Sequence, residues 1–457
     1  MMFSYPIYFI KLNPISPLLE LLKLIKLYLK NIKDILTSFQ STSELIERKM
    51  AEKVVLAYSG GLDTSCILKW LLEQGYEVVC YMANIGQDED FEAAKQKALK
   101  IGAKDVIIEN VQESFLNDFV WPSIQAGLIY ENRYLLGTSL ARPCISLGII
   151  KCAKKIGAKY ISHGATGKGN DQVRFELSCY YLWPEVKVIA PWRIKEFCEK
   201  FEGRQDLLKY AKENSIPVSV TPKEPWSMDA NLMHISYESG ILENPLNSAP
   251  KNLYLMTKDP LSGPNVPSEI EIYFKNGLPS SLIWANGENI EGNLKMFNKL
   301  NELGGLHGIG RIDIVENRFI GLKSRGIYET PAGFILYTAH LDLEVFCLDK
   351  EVFRLKELLK TRLSDFVYNG FWFSPEGNYT RKCIEIANEN VTGSVKLQLY
   401  KGNVSVLSRK SKFSTYNEDL VSMDKHSDFV PQDATGFINI QALRLKEYKK
   451  FQDNLQK

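Results

Sequence analysis

Hydrophobic and polar positions follow two different periods along the first half of the chain. Short apolar runs lie at 53–58, 77–83, 105–109, 159–163 and 186–190. Each has the length of a buried strand. Between them, over 91–101 and 144–156, apolar residues recur every three or four positions, which predicts amphipathic helices. Strand alternating with helix predicts a parallel sheet flanked by helices, whose ligands bind beyond the carboxyl ends of the strands. Near residue 215 the texture changes. "SIPVSVTPKEPWSMD" (215–229) reads as a linker. Beyond it strand and helix patterns mix, as in "EIEIYF", "RIDIVENRFIGL" and "FILYTAHLDLEVF". Residues 351–363 read as a helix and 395–407 as alternating strands. The closing segment, 438–457, is a helix with an apolar stripe carrying Leu443, Leu445 and Tyr448. It docks either on its own domain or on a partner subunit.

Composition narrows the class only a little. At 457 residues, two domains are expected. A net charge of +2 gives no electrostatic argument for a nucleic-acid partner. The eight cysteines are scattered, with no Cys-x-x-Cys pair, which suggests neither a zinc site nor a thioredoxin-like motif and fits reduced thiols in the cytoplasm. The first fifty residues differ from the rest. "PLLELLKLIKLYLKNIKDIL" is apolar but broken by Glu20, Lys23, Lys26, Lys30 and Lys33, so it is no uncharged transmembrane run. An amphipathic surface helix or a targeting segment is one reading. Translated upstream sequence is the preferred one, because Met50 and Ala51 directly precede the first strand. The segment is expected to be disordered or loosely attached.

Chemistry concentrates in two glycine stretches, each directly after a predicted strand. The first is "AYSGGLDTSC" (57–66). Gly60 and Gly61 leave the backbone bare, Ser59, Thr64 and Ser65 offer hydroxyls, and Asp63 or Thr64 is placed to cap the following helix. A strand, a glycine turn and a helix start make a phosphate site; ordinary capping of a tight turn is the bland alternative. Neither the Walker pattern nor Gly-x-Gly-x-x-Gly fits. The second stretch, "SHGATGKGNDQVR" (162–174), is not a P-loop either.

With both stretches in view, the chain resembles a known family. "AYSGGLDTSC" looks like the pyrophosphate loop of the N-type ATP pyrophosphatases, a motif shared by several adenylating enzymes. "YLLGTSLARP" (134–143), "SHGATGKGNDQVRFE" (162–176), "PWSMDANLMHISYESGILENP" (225–245) and "GRIDIVENRFIGLKSRGIYETPAG" (310–333) are similar to argininosuccinate synthase. The similarity runs from about Lys53 to the C-terminal helix, is loose at 246–266 and 405–430, and leaves residues 1–50 unmatched. It implies an α/β fold, adenine nucleotide alpha hydrolase-like, over 51–215. A second α+β synthetase domain would span 216–436, with an oligomerisation helix at 437–457. The implied enzyme is a carbon–nitrogen ligase of arginine biosynthesis and the urea cycle. It joins citrulline to aspartate through citrullyl-AMP, with ATP and Mg2+, as a cytoplasmic homotetramer, and no nucleic-acid or membrane partner is expected.

The resemblance also carries sites onto matching positions. Ala57, Tyr58, Ser59, Gly60, Gly61, Leu62, Asp63, Thr64 and Ser65 correspond to the ATP-phosphate loop, with Ala83 and Gly164 beside the adenosine. Thr166, Asn170 and Asp171 correspond to the aspartate site. Tyr134, Ser139, Asn170, Arg174, Ser227, Ser236, Glu316 and Tyr328 correspond to the citrulline site. Asp63, beside the departing pyrophosphate and its Mg2+, and Asp171, on the aspartate ammonium, are the expected catalytic residues; the sequence names no metal ligand. From the residues alone, Asp171 also reads as a helix N-cap, and Arg174 and Glu316 as solvated surface charges. His163 invites a general-base role but reads better as structural. Two rival functions remain: a tRNA-thiolating member of the loop family, which needs a reactive cysteine pair or a basic RNA-binding module, and a non-catalytic nucleotide-binding paralogue. Neither required feature of the first is visible, and both amino-acid sites expected to be lost in the second are intact.

Overall fold

The computed structural model describes residues 21–23, 25–30, 32–33, 51–217, 226–284, 287–423 and 429–456. Most of the linker and most of the first fifty residues therefore lie outside the described residues. The parts of 21–33 that are described are helical and exposed.

The five apolar runs all become strands: β1 (Lys53–Ala57), β2 (Glu77–Asn84), β3 (Asp105–Asn110), β4 (Tyr160–Ser162) and β5 (Lys187–Ile189). They form one parallel sheet in the order β3-β2-β1-β4-β5. Its helices are α1 (Leu62–Glu73), α2 (Phe91–Ile101), α3 (Gly137–Ile156), α4 (Asp171–Leu182) and α5 (Arg204–Glu213). Both sheet faces are covered, which is why the strands read as continuous apolar runs rather than alternating ones. Val54, Leu56, Val78 and Cys80 pack with α1 residues Cys66, Ile67 and Leu71. Val55, Val79 and Tyr81 face the other way, into a core that continues through α3 into the second domain.

Strand order reverses at β1. From β1 the chain adds β2 and β3 on one side, then returns to lay β4 and β5 on the other. The ends of β1 and β4 thus bound the crevice where open α/β sheets take their ligands. The two glycine stretches leave from those two strand ends.

The second domain has two antiparallel sheets, assembled from β6 (Ser227–Ala230), β7 (Ile235–Glu238), β8 (Ser268–Lys275), β9 (Leu278–Trp284), β10 (Asn289–Ile290), β11 (Arg311–Asn317), β12 (Lys323–Glu329), β13 (Gly393–Tyr400) and β14 (Asn403–Lys410). One runs β11-β12-β7-β6 and the other β10-β9-β8-β13-β14. Helices α6 (Asn293–Leu306), α7 (Pro331–Cys347), α8 (Lys350–Tyr368) and α9 (Pro375–Ala387) complete it, and α10 (Pro431–Leu455) ends it. "FILYTAHLDLEVF" lies wholly in helix, inside α7. Helix α3 starts seven residues before the predicted Cys144 and runs through Pro143. That proline has no N–H to return to the carbonyl four residues back, Ser139. Among the described residues, no helix is long and apolar enough to cross a membrane.

Candidate active site

The first glycine stretch forms the floor of a cavity of about 730 Å3. Gly60 has φ +71°, a left-handed conformation, and a Cβ there would fall 2.9 Å from Ala94 Cβ. Glycine is required on both counts. Gly61, not Asp63 or Thr64, is the N-cap of α1, and no side chain caps that helix. The N–H groups of Leu62, Asp63 and Thr64 consequently have no intrahelical acceptor. The Ser65 N–H is the first to bond back, to the Gly61 carbonyl at 3.1 Å. A bare helix start of this kind draws an anion. Thr64 Oγ1 instead ties the loop, 3.2 Å from Ser59 Oγ. Lys97 donates to the Gly60 carbonyl at 2.8 Å from α2. Burial pushes the Asp63 carboxyl above its ordinary range, against the pull of Arg204.

Ala57, Tyr58, Ser59, Gly60, Gly61, Leu62, Asp63 and Thr64 line this cavity, with Ala83 and Gly164 on its walls. Ser65 does not line it. That side chain is fully buried behind the loop, 3.0 Å from the Tyr58 hydroxyl, where it supports the loop. A Cβ on Gly164 would come 3.1 Å from Thr64 Cγ2, so the second glycine stretch lies against the first.

A second cavity of about 720 Å3 opens from the first, sharing Asp63, Arg142, Gly164, Asp171 and Asp229 as lining. Thr166, Asn170, Asp171, Tyr134, Arg174, Ser236, Glu316 and Tyr328 all line it. Ser227 lines the first cavity instead. Ser139 lines neither, yet its buried Oγ has no hydrogen-bond partner among the described residues. The Gly169 N–H is taken by the Thr166 carbonyl at 3.1 Å.

Charge in this cavity is organised in two groups. In the first, Arg142 Nη2 donates to Asp171 Oδ2 and to Asp229 Oδ2, both at 2.8 Å. Arg174 Nη1 donates to Asp171 Oδ1 at 3.0 Å. Asp171 is thus not a helix cap. Asn170 holds the cap position and Asp171 is the first residue of α4. In the second group Glu316 accepts from the Tyr328 hydroxyl at 2.9 Å and the Tyr368 hydroxyl at 2.7 Å. Burial pushes the Glu316 carboxyl up, and these two tyrosines pull it back. Arg174 and Glu316 are 4% and 6% exposed, which overturns their reading as surface charges. The Arg174 Nε donates to the Tyr368 carbonyl at 2.8 Å, and its guanidinium sits over the Tyr368 ring. Tyr134 stacks on Tyr328 at 4.3 Å between centroids and accepts the Thr138 N–H at 3.0 Å through its hydroxyl. His163 is satisfied at both nitrogens, by the Ala165 N–H at 3.2 Å and Glu176 Oε1 at 3.1 Å, as a structural residue should be.

Sequence reasoning missed Arg142, Asp229 and Tyr368. Arg142 and Asp229 stand inside quoted blocks, "SLARP" and "PWSMD", but no periodicity marks them. Tyr368 ends a long amphipathic helix and looks like core. Among the described residues, no group of three His, Cys, Asp or Glu side chains is placed to hold a metal.

Two joined cavities, one floored by the glycine turn and one lined by two groups of charged side chains, lie in a chain with known relatives. Residues 53–217 match the family model of the arginosuccinate synthase N-terminal HUP domain, and residues 226–448 that of the arginosuccinate synthase C-terminal domain. The chain belongs to the argininosuccinate synthase family. It is 60% identical to argininosuccinate synthase of Homo sapiens over 403 residues, 88% of this chain and 98% of the human one. Against argininosuccinate synthase of Aedes aegypti it is 59% identical over 398 residues, 87% of this chain and 97% of that protein. The argininosuccinate synthase of Danio rerio gives 60% over 400 residues, 87% and 97%. The gap between the two family models falls inside the segment that reads as a linker.

Proposed function

We infer that this chain joins citrulline to aspartate at the expense of ATP, releasing argininosuccinate, AMP and pyrophosphate. The observation that carries the reading is the junction: a phosphate chamber opens directly into a chamber with two separate charge centres. The reaction needs that layout. A ureido carbon is a poor electrophile because its nitrogens feed electrons into it. Transfer of AMP to the ureido oxygen turns that oxygen into a leaving group, and the aspartate amine then displaces AMP from the carbon. The nucleotide must therefore present its α-phosphorus to the second chamber while its β- and γ-phosphates stay held.

The bare backbone of Ser59–Gly61 and the open N–H groups at the start of α1 hold the pyrophosphate portion. Ala83, at the end of β2, and Gly164 flank the adenosine. Mg2+ accompanies ATP, since it binds through phosphate oxygens plus one or two carboxylates rather than a protein cage. Asp63 is the carboxylate on the loop that suits it. Glu316 and its tyrosines suit the citrulline α-ammonium, and Arg174 its carboxylate. Ser139, Ser227, Ser236 and Asn170 serve the rest of citrulline. Asp171, with Thr166 and Asn170, receives aspartate. Catalysis by this site is positioning and electrostatics, with no covalent enzyme intermediate. The eight free thiols fit a cytoplasmic protein, and the subunits assemble as a homotetramer.

The purified chain is expected to yield argininosuccinate, AMP and pyrophosphate in equal amounts, with an isotopic label on the ureido oxygen recovered in AMP. ADP and phosphate as products would overturn the adenylation route.

A further inference from the structure

The attacking nitrogen of aspartate arrives as an ammonium, which has no lone pair to give. Something must remove a proton before the carbon–nitrogen bond can form. Among the described residues, three carboxylates line both chambers, at the place where the two substrates must meet: Asp63, Asp171 and Asp229. Asp63 belongs to the phosphate loop. Asp171 has both oxygens tied to guanidinium groups, Oδ1 to Arg174 and Oδ2 to Arg142. A carboxylate gripped on both sides by cations is a weak base and a firm anion. Asp229 is held on one side only. Its Oδ2 accepts from Arg142 at 2.8 Å and from the Thr138 hydroxyl at 3.3 Å, while Oδ1 accepts no hydrogen bond among the described residues. Its side chain is 36% exposed, and that exposure is to the cavity it lines.

We propose that Asp229 is the general base of the second step, taking the proton from the aspartate ammonium through Oδ1, while Asp171 stays ionised and holds that ammonium in place. The proposal rests on the function inferred above. Because one guanidinium nitrogen bridges the two carboxylates, an ammonium seated at Asp171 lies beside Asp229.

The step balances as follows. Asp229 accepts one proton from the ammonium and becomes neutral. The freed nitrogen pair bonds to the ureido carbon, and the carbon–oxygen bond to AMP breaks with its pair left on the phosphate. The surplus proton on the new guanidinium nitrogen passes to that phosphate. Asp229 then returns its proton to solvent.

The surroundings agree with the division of labour. Burial and the Asp171 charge push the Asp229 carboxyl above its ordinary range, and Arg142 pulls it back. Burial also opposes the Asp171 charge, but Arg142 and Arg174 outweigh it and hold that carboxyl down at about 2. Two like groups pushed apart by their environments is how acid–base roles are assigned within one site. The other titratable groups nearby are His234, kept neutral by burial and the two arginines, the buried carboxyl Glu316, and Glu238, which is exposed and paired with Arg318.

The test separates the two half-reactions. In the wild-type enzyme, citrulline-dependent exchange of pyrophosphate into ATP reports the first. Its absence would sink the function itself, before any variant is made. In Asp229→Asn that exchange should persist within a few-fold, while argininosuccinate formation from aspartate falls by about 100-fold or more. The acid limb that the Asp229 carboxyl sets in the wild-type pH profile for aspartate should vanish in the variant, whose rate should instead rise at higher pH as the aspartate ammonium itself ionises. Hydroxylamine, a nucleophile already neutral at the assay pH, should react with activated citrulline equally fast in both. Equal slowing of hydroxylamine and aspartate would make Asp229 a structural residue. Loss of the acid limb in Asp171→Asn but not in Asp229→Asn would move the base to Asp171. If the Asn variant loses exchange because Arg142 shifts, Asp229→Glu carries the test: it keeps a carboxylate, so the acid limb must persist, and its disappearance would overturn the proposal.

Discussion

At the scale of single residues, the site is decided by who shares Arg142. The side chain spans from α3 to the start of α4 and to β6, so one guanidinium joins both domains through Asp171 and Asp229. Removing Asp171 should therefore act on substrate and fold together. In Asp171→Ala, loss of a charged hydrogen bond to the aspartate ammonium costs on the order of 1.5–3 kcal/mol, roughly a factor of ten to a hundred. It should appear in the aspartate dependence of the rate and leave citrulline-dependent exchange nearly intact; unchanged aspartate kinetics would remove Asp171 from the substrate site. Stability carries a second signature. The Asp171 carboxyl is held at about 2, below its ordinary 3.8. A depressed acid contributes stability above its unfolded value and loses it as pH falls through the folded one. The melting temperature of Asp171→Asn should thus sit below wild type at pH 7, with the gap narrowing between about pH 4 and pH 2. None of this was readable from the local sequence. Asp171 stands where a helix cap would, and its role depends on two arginines on different helices. Glu316 reads as an exposed strand residue until Tyr368, fifty-two positions on, closes over it.

At the scale of elements, the glycine turn before α1 is the least forgiving feature. Gly60→Ala would put a side chain into the left-handed region, at about 1–2 kcal/mol, and against Ala94. Pyrophosphate exchange should fall sharply while the melting temperature drops only modestly; normal exchange would mean that the loop tolerates rearrangement. A different element-level test lies between α7 and α8, where Glu344 and Lys356 form an ion pair with both side chains 1% exposed. Lys356 also donates to the Ala126 carbonyl at 3.2 Å. Lys356→Met strands a buried carboxylate, so unfolding in urea should show a loss of about 3–5 kcal/mol, largely recovered in Lys356→Met with Glu344→Leu. Equal losses in both variants would mean that packing, not charge, sets the cost. Elements were the best-read level of this chain. Strands buried on both faces announce themselves as apolar runs, and α2 occupies the predicted 91–101. The start of α3 was missed because "GTSLARP" combines glycine, hydroxyls and proline, which argue locally for a turn; burial of Leu140 and Ala141 overrides them. The pattern also put the start of α10 too late, since "PQDATGF" lacks periodicity yet begins with a proline that suits a first helical turn.

At the scale of the whole molecule, the two ends of the chain pose opposite problems. The described part of residues 21–33 exposes Leu21, Leu22, Ile25 and Tyr28, and the sheet is complete without it. A chain beginning at Met50 should match the full chain in melting temperature and rate; a large loss of either would show that the extension packs on the core. The C-terminal helix α10 presents the reverse case. It is 25 residues long with no residue buried. Leu443 and Leu445 are two positions apart, which sets them on nearly opposite sides of a helix. The apolar residues are therefore not a single stripe of the kind the sequence suggests. Phe437, Ile440, Tyr448 and Phe451 share one side, and Ile438 and Leu445 broaden it. A helix with so broad an apolar side is shaped for burial against a neighbour, and among the described residues none of its side chains is buried. A second subunit is the economical partner, because every copy then gains what it gives. Ending the chain at Val430 should shift the mass in light scattering from the proposed tetramer toward dimer or monomer. Single substitutions should grade the effect: Tyr448→Asp and Ile440→Asp, on the shared side, should weaken assembly more than Lys446→Asp. An unchanged tetramer after the deletion would assign assembly to the sheets of the second domain and leave α10 as a surface for some other protein.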